Sequence, residues 1–552
     1  MAAALASCSE SEDLGTQPQD RQPITVTVTD GGYAAADKSG ADTRAVDNGY
    51  ATTFTAGDQI GLYIVKPDGT YAAENIPLTL TVNGSGMLAW QAPASITLYY
   101  EGAAAKYFAY YPYQQTLPAV SNTPDASDEP VKPVASATDA SGFFAPLISA
   151  WTPATDQGTH AAYTASDLMT GCGTASKQSD GTYSLELTMT HAMALVVIET
   201  PMTKYALTDK DGKSLPDYCI PAPDTRFYGF TPCFIGGTYR YLVKPAQSGA
   251  ADLMGSYTAT GSDGSSSVTK EYAVSPNGIT AANYALYKVD GATVTPKTHQ
   301  LQVGDFYMND GSLLAGSTAT LTAAQKAACV GVVFWVGDAT AKDKTLKADH
   351  ESCTHGLVVA LKNAIDEKTV WQNPYTSVQD WLNSNQSGKF LSVVSNTGAN
   401  EPLNNIQGYN NTKAIEAFND NYTDESYVVQ AVQKVVDYRN QVPAPGSSSG
   451  WYLPSEKELS LLCGKDVDNI YPKVGIDMRD FLNGTNGPFQ KLGDSATKLK
   501  SYFYWSSTES SYYSSYNIGS AFDVYFGDGD VGSSFKDEDD GDGRRVRCVL
   551  AF

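Results

Sequence analysis

At 552 residues the chain is longer than a single hydrophobic core usually allows, and we expect about three domains. Charged residues make up 18%, whereas the chain contains 35 Tyr and 48 Gly, a composition typical of β-rich extracellular proteins. The formal net charge of −23 opposes contact with a phosphate backbone or an anionic membrane surface, and no cluster of Lys and Arg offsets it. We therefore expect no nucleic-acid partner.

The first segment, residues 1–22, is predicted to be a disordered acidic tail. Leu5-Ala6-Ser7-Cys8 resembles the lipobox of bacterial lipoproteins, which implies that Cys8 is acylated. Residues 9–13, Ser-Glu-Ser-Glu-Asp, resemble the signal that sends lipoproteins of Bacteroides-type bacteria to the outside of the outer membrane. No apolar run approaches the roughly 18 residues that a membrane-spanning helix needs. We expect an outer-membrane lipoprotein anchored by its lipid.

The other seven cysteines are widely spaced and form no Cys-x-x-Cys pair. An odd number at such spacing does not indicate a disulfide framework, and the missing pair excludes a zinc ribbon. Buried free thiols are the simplest interpretation, with an occasional disulfide left open.

Short apolar alternations broken by Gly, Asn, Asp and Pro run from residue 24 to about residue 297. This pattern predicts β-sandwiches, with a first domain at 23–160 and a second at 161–297.

Four motifs in this part follow in order: Phe54-Thr-Ala-Gly-Asp-Gln-Ile-Gly-Leu-Tyr63, Lys106-Tyr-Phe-Ala-Tyr-Tyr-Pro-Tyr113, Asp167-Leu-Met169 and Leu187-Thr-Met-Thr-His-Ala-Met-Ala-Leu-Val196. They resemble the landmarks of the fimbrillin-like proteins of Bacteroides-type bacteria over about residues 30–295. The resemblance implies two β-sandwich lobes of a pilus subunit that pairs with other subunits by strand addition. In stalk subunits of that family a protease cuts after an Arg, which places a possible processing site at Arg44.

The composition changes at residue 298, where helical patterns join the strands and predict an α+β domain at 298–552. Its landmarks are Gly450-Trp-Tyr-Leu-Pro-Ser-Glu-Lys-Glu-Leu459, Tyr504-Trp-Ser-Ser-Thr-Glu509 and Arg545-Val-Arg-Cys-Val549. They resemble the C-type-lectin-like domains of the formylglycine-generating-enzyme type, in the branch used as variable proteins by diversity-generating retroelements. The predicted fold is therefore mainly β and then α+β: two fimbrillin-like sandwiches followed by a C-type-lectin-like ligand-binding domain.

Residues 510–543 have an unusual composition, since twenty-five of these thirty-four residues are Ser, Tyr, Asn, Gly or Asp. Tyr supplies large contact area at low entropic cost, and Ser, Gly and Asn supply adaptable hydrogen bonds, as in antibody paratopes. Replacing adenines in Asn codons yields nearly all the residue types found here, and only Lys536 and Glu538 fall outside that set. We interpret 510–543 as a variable binding region rather than a solvated loop.

Alternation divides this region into two sets of side chains. Phe522, Val524 and Phe526 are predicted to fill the core, while Asp523, Tyr525 and Gly527 point the other way. The candidate ligand-binding residues are Tyr512, Tyr513, Ser514, Tyr516, Asn517, Ser520, Asp523, Tyr525, Asp528, Asp530, Ser533, Ser534, Phe535, Asp537, Asp539 and Asp540.

Several motifs suggest chemistry but lack a required residue. An EF-hand alignment beginning at Glu538 puts Val549 where a bidentate Glu is needed. His350 and His355 are five residues apart instead of four, and Cys463 and Cys548 do not reproduce the reactive cysteine pair of the formylglycine-generating enzymes. We expect no catalytic residues, no metal and no cofactor.

These observations predict a cell-surface pilus-tip adhesin that binds a protein or glycan on another cell or phage and contacts other pilus subunits. The alternative is a surface lipoprotein for glycan capture that never joins a pilus.

The lipobox leads to a direct prediction for Cys8. Metabolic labelling with an alkyne palmitate should label the full-length precursor, and Cys8→Ala should abolish the label because the acyl acceptor is gone. Persistence of the label in that variant would contradict the assignment.

Overall fold

The computed structural model describes residues 22–36, 50–55, 57–82, 88–119, 129–245, 250–260, 267–365, 367–374, 376–395, 403–422, 427–511, 519–537 and 544–552. The expectations for Cys8 and Arg44 fall outside these ranges.

The N-terminal part is a closed barrel with the strand order β1-β5-β4-β3-β6-β7-β8. The first eight strands are β1 (Ile24–Asp30), β2 (Ala34–Ala35), β3 (Gln59–Val65), β4 (Tyr71–Val82), β5 (Leu88–Gln91), β6 (Lys106–Tyr111), β7 (Met169–Lys177) and β8 (Tyr183–His191), and between β6 and β7 lie α1 (Ala140–Phe143), α2 (Ala145–Ala150) and α3 (His160–Ser166).

Strand alternation forms the barrel interior. Leu185, Leu187 and Met189 of β8 are buried, and the residues between them are exposed. Strand β1 runs parallel to β8 over its whole length, from Ile24 beside Tyr183 to Asp30 beside Met189. The N-terminal strand is thus an integral wall of the barrel.

The first domain boundary differs from the sequence-based prediction at residue 160. Strands β7 and β8 lie beyond that point yet complete the barrel, because β7 pairs with β6 and β8 pairs with β1. The predicted boundary at residue 160 falls at the first residue of α3, within a helical excursion between two neighbouring strands.

The second part contains three sheets, ordered β13-β14-β9-β17-β2, β12-β15-β16 and β11-β10-β18. Its strands are β9 (Ala194–Glu199), β10 (Met202–Thr208), β11 (Tyr218–Pro221), β12 (Arg226–Tyr228), β13 (Cys233–Ile235), β14 (Thr238–Val243), β15 (Leu253–Thr260), β16 (Ser267–Val274), β17 (Asn283–Lys288) and β18 (Val294–Gln300).

The C-terminal part is α+β, with sheets ordered β20-β19-β21-β22-β27 and β23-β24-β25-β26. Its strands are β19 (Phe306–Met308), β20 (Leu313–Leu314), β21 (Cys329–Val336), β22 (Gly356–Ala360), β23 (Val394–Ser395), β24 (Phe503–Ser510), β25 (Ser520–Tyr525), β26 (Asp530–Phe535) and β27 (Val549–Ala551). Its helices are α4 (Ala323–Ala328), α5 (Lys344–Asp349), α6 (Val378–Asn385), α7 (Gly408–Asn419), α8 (Gln430–Gln441), α9 (Glu456–Cys463), α10 (Asp477–Asn483) and α11 (Pro488–Leu492).

A short sequence motif determines where helix α9 begins. Ser455 accepts a hydrogen bond from the backbone N–H of Glu458, whose side chain accepts one from the N–H of Ser455. This capping box starts the helix at the Leu-Pro-Ser-Glu motif, and Gly464 follows its last residue.

Aromatic side chains join the second and third parts. The hydroxyl groups of Tyr218 and Tyr307 lie 3.0 Å apart, and the ring of Phe552 contacts both of theirs. The Nε2 atom of His355 donates a hydrogen bond across this joint to the carbonyl oxygen of Pro216 at 2.9 Å. The last residue of the chain is therefore buried at a domain junction.

With 36% strand and 20% helix, the chain confirms the mainly β fold class. The seven cysteines from Cys172 onward are all free thiols. Within the described ranges, no helix has both the length and the apolar sequence that a bilayer crossing requires.

A buried ionic cluster fastens β1 to the rest of the barrel. His191 lies 2.9 Å from the Oδ2 atom of Asp167 and 3.1 Å from the Oδ1 atom of Asp30, and the ring of Tyr33 stacks on its imidazole at 3.8 Å. Burial alone would lower the pKa of His191, but the two carboxylates outweigh it and raise the pKa to about 9.

This cluster predicts a pH-dependent stability. Because the folded pKa of His191 lies above its ordinary value, its contribution is complete below about pH 6.5 and is lost as the pH rises through about 9. The lost free energy of unfolding should be on the order of 3 kcal/mol. Thermal unfolding midpoints of the parent and of His191→Gln, measured between about pH 6 and 10, should converge as the pH rises. Parallel curves would contradict the prediction.

Candidate functional site

The candidate site is built on the sheet β23-β24-β25-β26, in which β25 is central and antiparallel to both neighbours. Phe522 lies opposite Ser533, and Val524 lies opposite Val531. Phe522, Val524 and Phe526 are all 0% exposed and pack into one hydrophobic cluster. The prediction that these three side chains fill the core is therefore confirmed.

The opposite face of β25 is also covered, which the sequence did not indicate. Ala521 and Trp505 pack into a second hydrophobic cluster, and Asp523 is only 2% exposed. Arg544 reaches over this face, with its Nε 2.7 Å from the Oδ2 atom of Asp523 and its guanidinium 5.0 Å from the Trp505 ring. Burial raises the pKa of Asp523, and Arg544 opposes that rise.

This arrangement corrects the prediction that two of the candidate residues contact a ligand. Ser520 and Asp523 are both buried, so neither presents its side chain on an exposed surface. The reason is that the sheet lies between two apolar clusters, so alternation separates two cores instead of a core and a solvent face.

Lys536, the basic residue of the variable region, is buried as an anchor. Its Nζ lies 2.5 Å from the Oε1 atom of Glu509 and donates to the carbonyl oxygen of Thr376 at 2.6 Å. The ammonium also lies 4.7 Å from the centre of the Trp371 ring. Burial lowers the pKa of Lys536, although the Glu509 carboxylate acts in the opposite direction.

Glu509 connects this anchor to a helix. Its two carboxylate oxygens accept hydrogen bonds from the backbone N–H groups of Val378 and Gln379, at 3.1 and 3.0 Å, in the first turn of α6. A carboxylate at this end of a helix satisfies donors that have no partner within the helix and favours the positive end of its dipole.

Backbone hydrogen bonds hold both ends of the segment 512–518. Before it, the N–H of Ser511 donates to the carbonyl oxygen of Ser395 at 2.7 Å. After it, the carbonyl oxygen of Gly519 accepts from the N–H of Lys536 at 3.0 Å, and the Lys536 carbonyl oxygen accepts from Trp371. Ser511 and Gly519, the described residues on either side, are thus both held by backbone hydrogen bonds at the same sheet.

The remaining described candidates lie at the end and edge of the sheet. Tyr525 is half-buried and stacks on Phe503 at 4.5 Å, while Asp528 and Asp530 both pair with Lys473. Phe535 is 38% exposed, and the side chains of Ser533, Ser534 and Asp537 are half-buried. Seven candidates fall outside the described residues: Tyr512, Tyr513, Ser514, Tyr516, Asn517, Asp539 and Asp540.

Sequence reasoning did not identify the buried polar residues under the site: Glu509, Lys536 and Arg544. The one available signal was Lys536 itself, a residue type that stood apart from the composition around it. Among the described side chains, no group of three or more His, Cys, Asp or Glu is placed to hold a metal ion.

A known protein is similar to this chain over nearly the whole of its length. A family model described as "Fimbrillin-like" matches residues 43–217. The chain is 31% identical over 538 residues to Fim1C of Bacteroides ovatus, described as a fimbrium tip subunit, with 91% of this chain and 90% of that protein covered. The chain belongs to the fimbrillin-like family.

Some solved structures are also similar to this chain. A fimbrial protein from Bacteroides ovatus is 28% identical, with 96% of this chain and 100% of that chain covered and a TM-score of 0.44. A cell adhesion protein from Bacteroides uniformis is 18% identical, with 51% and 95% covered and a TM-score of 0.25. Family membership confirms the fimbrillin resemblance that the four ordered motifs predicted.

The buried ion pair leads to a stability prediction. Lys536→Met leaves the Glu509 carboxylate buried without its cation, which should lower the free energy of unfolding by about 3 to 5 kcal/mol. The double variant Lys536→Met/Glu509→Gln should recover part of that loss because no charge remains unpaired. Urea unfolding of the full chain measures both.

The matched control is Lys473→Met, which removes an exposed lysine that also pairs with two carboxylates. Its stability should stay close to that of the parent because exposed pairs contribute little. If Lys536→Met were as stable as Lys473→Met, the anchor role would be refuted.

Proposed function

We propose that this fimbrillin-like chain is a fimbrial tip subunit and an adhesin, whose residues 510–543 bind a protein or glycan on another cell or phage. The observation that carries the proposal is the anchoring of this region. Ser511 and Gly519, which flank a segment of Tyr, Ser, Asn and Ile, are both hydrogen-bonded to a buried framework that contains the Lys536–Glu509 ion pair. Such a framework tolerates sequence changes in the segment without loss of the fold.

The C-terminal part is proposed to be a C-type-lectin-like domain that carries this variable region. Support comes from the three sequence landmarks, which occupy central positions. The motif at 450–459 starts α9, the motif at 504–509 forms most of β24, and the motif at 545–549 leads into β27. The domain therefore supplies the scaffold, and the variable region supplies the contacts.

The tip position is supported by how residues 546–552 are bound. Strand β27 pairs with β22 on one side, and Val549 exchanges backbone hydrogen bonds with Tyr452 on the other. Phe552 is buried among aromatic rings. These residues cannot complete a sheet in another subunit unless the C-terminal part opens.

An acceptor role is proposed for the barrel. Strand β1 precedes Arg44 and lies between β5 and β8, and β2 pairs with β17. Cleavage after Arg44 would separate β1 and β2 from the rest of the chain, and their departure would open sheet edges that an extended segment of another subunit can fill.

The assembly proposal predicts the position of this subunit in a fimbrium. Immunogold labelling against residues 298–552 should mark one end of each filament, since a subunit that accepts a strand but donates none terminates growth. Labelling along the whole filament would contradict the tip assignment.

The binding proposal predicts where affinity is concentrated. Truncating Tyr512, Tyr513, Tyr516 or Tyr525 to Ala should weaken binding by about 2 kcal/mol or more for at least one of the four, while Ser533→Ala should cost about 1 kcal/mol or less. Binding is measured on intact target cells or phage by titration of the labelled protein.

Two controls separate binding from folding. Val524→Asp places an unpaired charge in the core and should unfold the C-terminal part, whereas Tyr525→Ala should lower the unfolding midpoint far less because its ring is half-buried. If all four tyrosine variants bound the target as tightly as the parent, the assignment of these tyrosines to the binding surface would be wrong.

A further inference from the structure

An open cleft of about 910 Å³ lies between the N-terminal barrel and the C-terminal part, and its lining includes none of the described residues of 510–543. One wall is the β3–β4 region around Thr79 and Thr81, together with Thr159 before α3. The other wall is formed by α5, α7 and the loop 388–390. Clefts of this volume between domains are common places for small ligands.

Two cationic side chains in the cleft are available to a ligand. Lys344 and Lys389 are exposed, and neither ammonium makes an ion pair with any residue that the structure describes. Lys389 lies 5.3 Å from the centre of the Phe390 ring. The chain has a net charge of −23, so two such lysines in one concave site are a local exception to its overall negative charge.

The acidic residues of the same cleft are largely engaged by the protein. Glu416 lies 2.5 Å from Arg439 and 3.2 Å from Lys413, and Asp349 accepts a hydrogen bond from Tyr409 at 3.0 Å. Burial raises the pKa of Asp349, and the hydrogen bond from Tyr409 and the charge of Lys413 oppose that rise. Asp420, at the C-terminal end of α7, is the exposed acidic residue of the lining.

The other lining groups fit a sugar. Four threonine hydroxyls line the cleft, and each makes one hydrogen bond within the protein: those of Thr79 and Thr159 accept, and those of Thr81 and Thr345 donate. The first two therefore keep a donor, and the last two keep acceptors, for the hydroxyls of a sugar. Phe390 is half-buried and presents an aromatic ring against which the C–H face of a pyranose can pack.

We propose that this cleft binds an anionic oligosaccharide, with Lys344 and Lys389 contacting its carboxylate or sulfate groups and Phe390 packing against a sugar ring. Charge-assisted hydrogen bonds to two ammonium groups supply affinity that threonine hydroxyls alone do not. No described residue of 510–543 lines this site, and the proposal does not depend on the function proposed for that region.

Isothermal titration of the full chain tests the proposal with three probes: a pentagalacturonate, a sulfated heparin tetrasaccharide and uncharged maltopentaose. At least one anionic probe should bind, and which of them does identifies carboxylate or sulfate as the recognised group. The double variant Lys344→Gln/Lys389→Gln should weaken that binding roughly tenfold or more, and maltopentaose should bind at least about tenfold more weakly than the anionic probe.

Lys347→Gln is the matched control, because Lys347 is an exposed lysine of the same helix that does not line the cleft. It should bind the anionic probe within about twofold of the parent, as should Tyr525→Ala in the variable region. The proposal is overturned if neither anionic probe binds, if maltopentaose binds equally well, or if Lys347→Gln loses as much affinity as the double variant.

Discussion

The C-terminal part depends on one buried ion pair, Lys536 with Glu509, because it connects three elements that are far apart in sequence. Glu509 is the second-last residue of β24 and accepts hydrogen bonds from the first N–H groups of α6, and Lys536 follows β26 and binds the loop before that helix. A buried pair of this kind adds little net stability compared with apolar residues, but it fixes one arrangement, since any displacement leaves a charge unpaired. Geometry, more than stability, is what the pair supplies to the segment between residues 511 and 519.

The N-terminal barrel uses a comparable device at the opposite end of the chain. His191, between Asp30 and Asp167, closes the barrel where β1 meets β8. The two clusters differ in composition, since one cation serves two carboxylates in the barrel, whereas Lys536 has one carboxylate and several neutral acceptors. In the barrel the ionic contacts lie beside β1, in which Thr alternates with Ile and Val, and in the C-terminal part they lie beside a region rich in Tyr, Ser, Gly and Asp.

Much of this architecture could be predicted from the sequence, and what could not has a physical cause. Alternation correctly placed Phe522, Val524 and Phe526 in the core, because their spacing leaves no other common face. It failed for Asp523, since a single sequence does not reveal that Arg544 and Trp505 cover the second face of the same strand. The boundary at residue 160 failed for a related reason, because strand pairing between β6 and β7 spans a long helical excursion, and pairing partners are not encoded by local composition.

The joint around Phe552 has a mechanical consequence for the proposed adhesin. A pull on the C-terminal part reaches the second part through contacts that include those among Tyr218, Tyr307 and Phe552, since these rings and hydroxyls meet directly. Tension then reaches the barrel, where seven consecutive residues of β1 lie beside β8 in parallel. Bonds arranged side by side along a pull share the load and yield together, whereas bonds opened from one end yield singly. How long an attachment lasts under flow is thus a question of unfolding rate as well as of affinity.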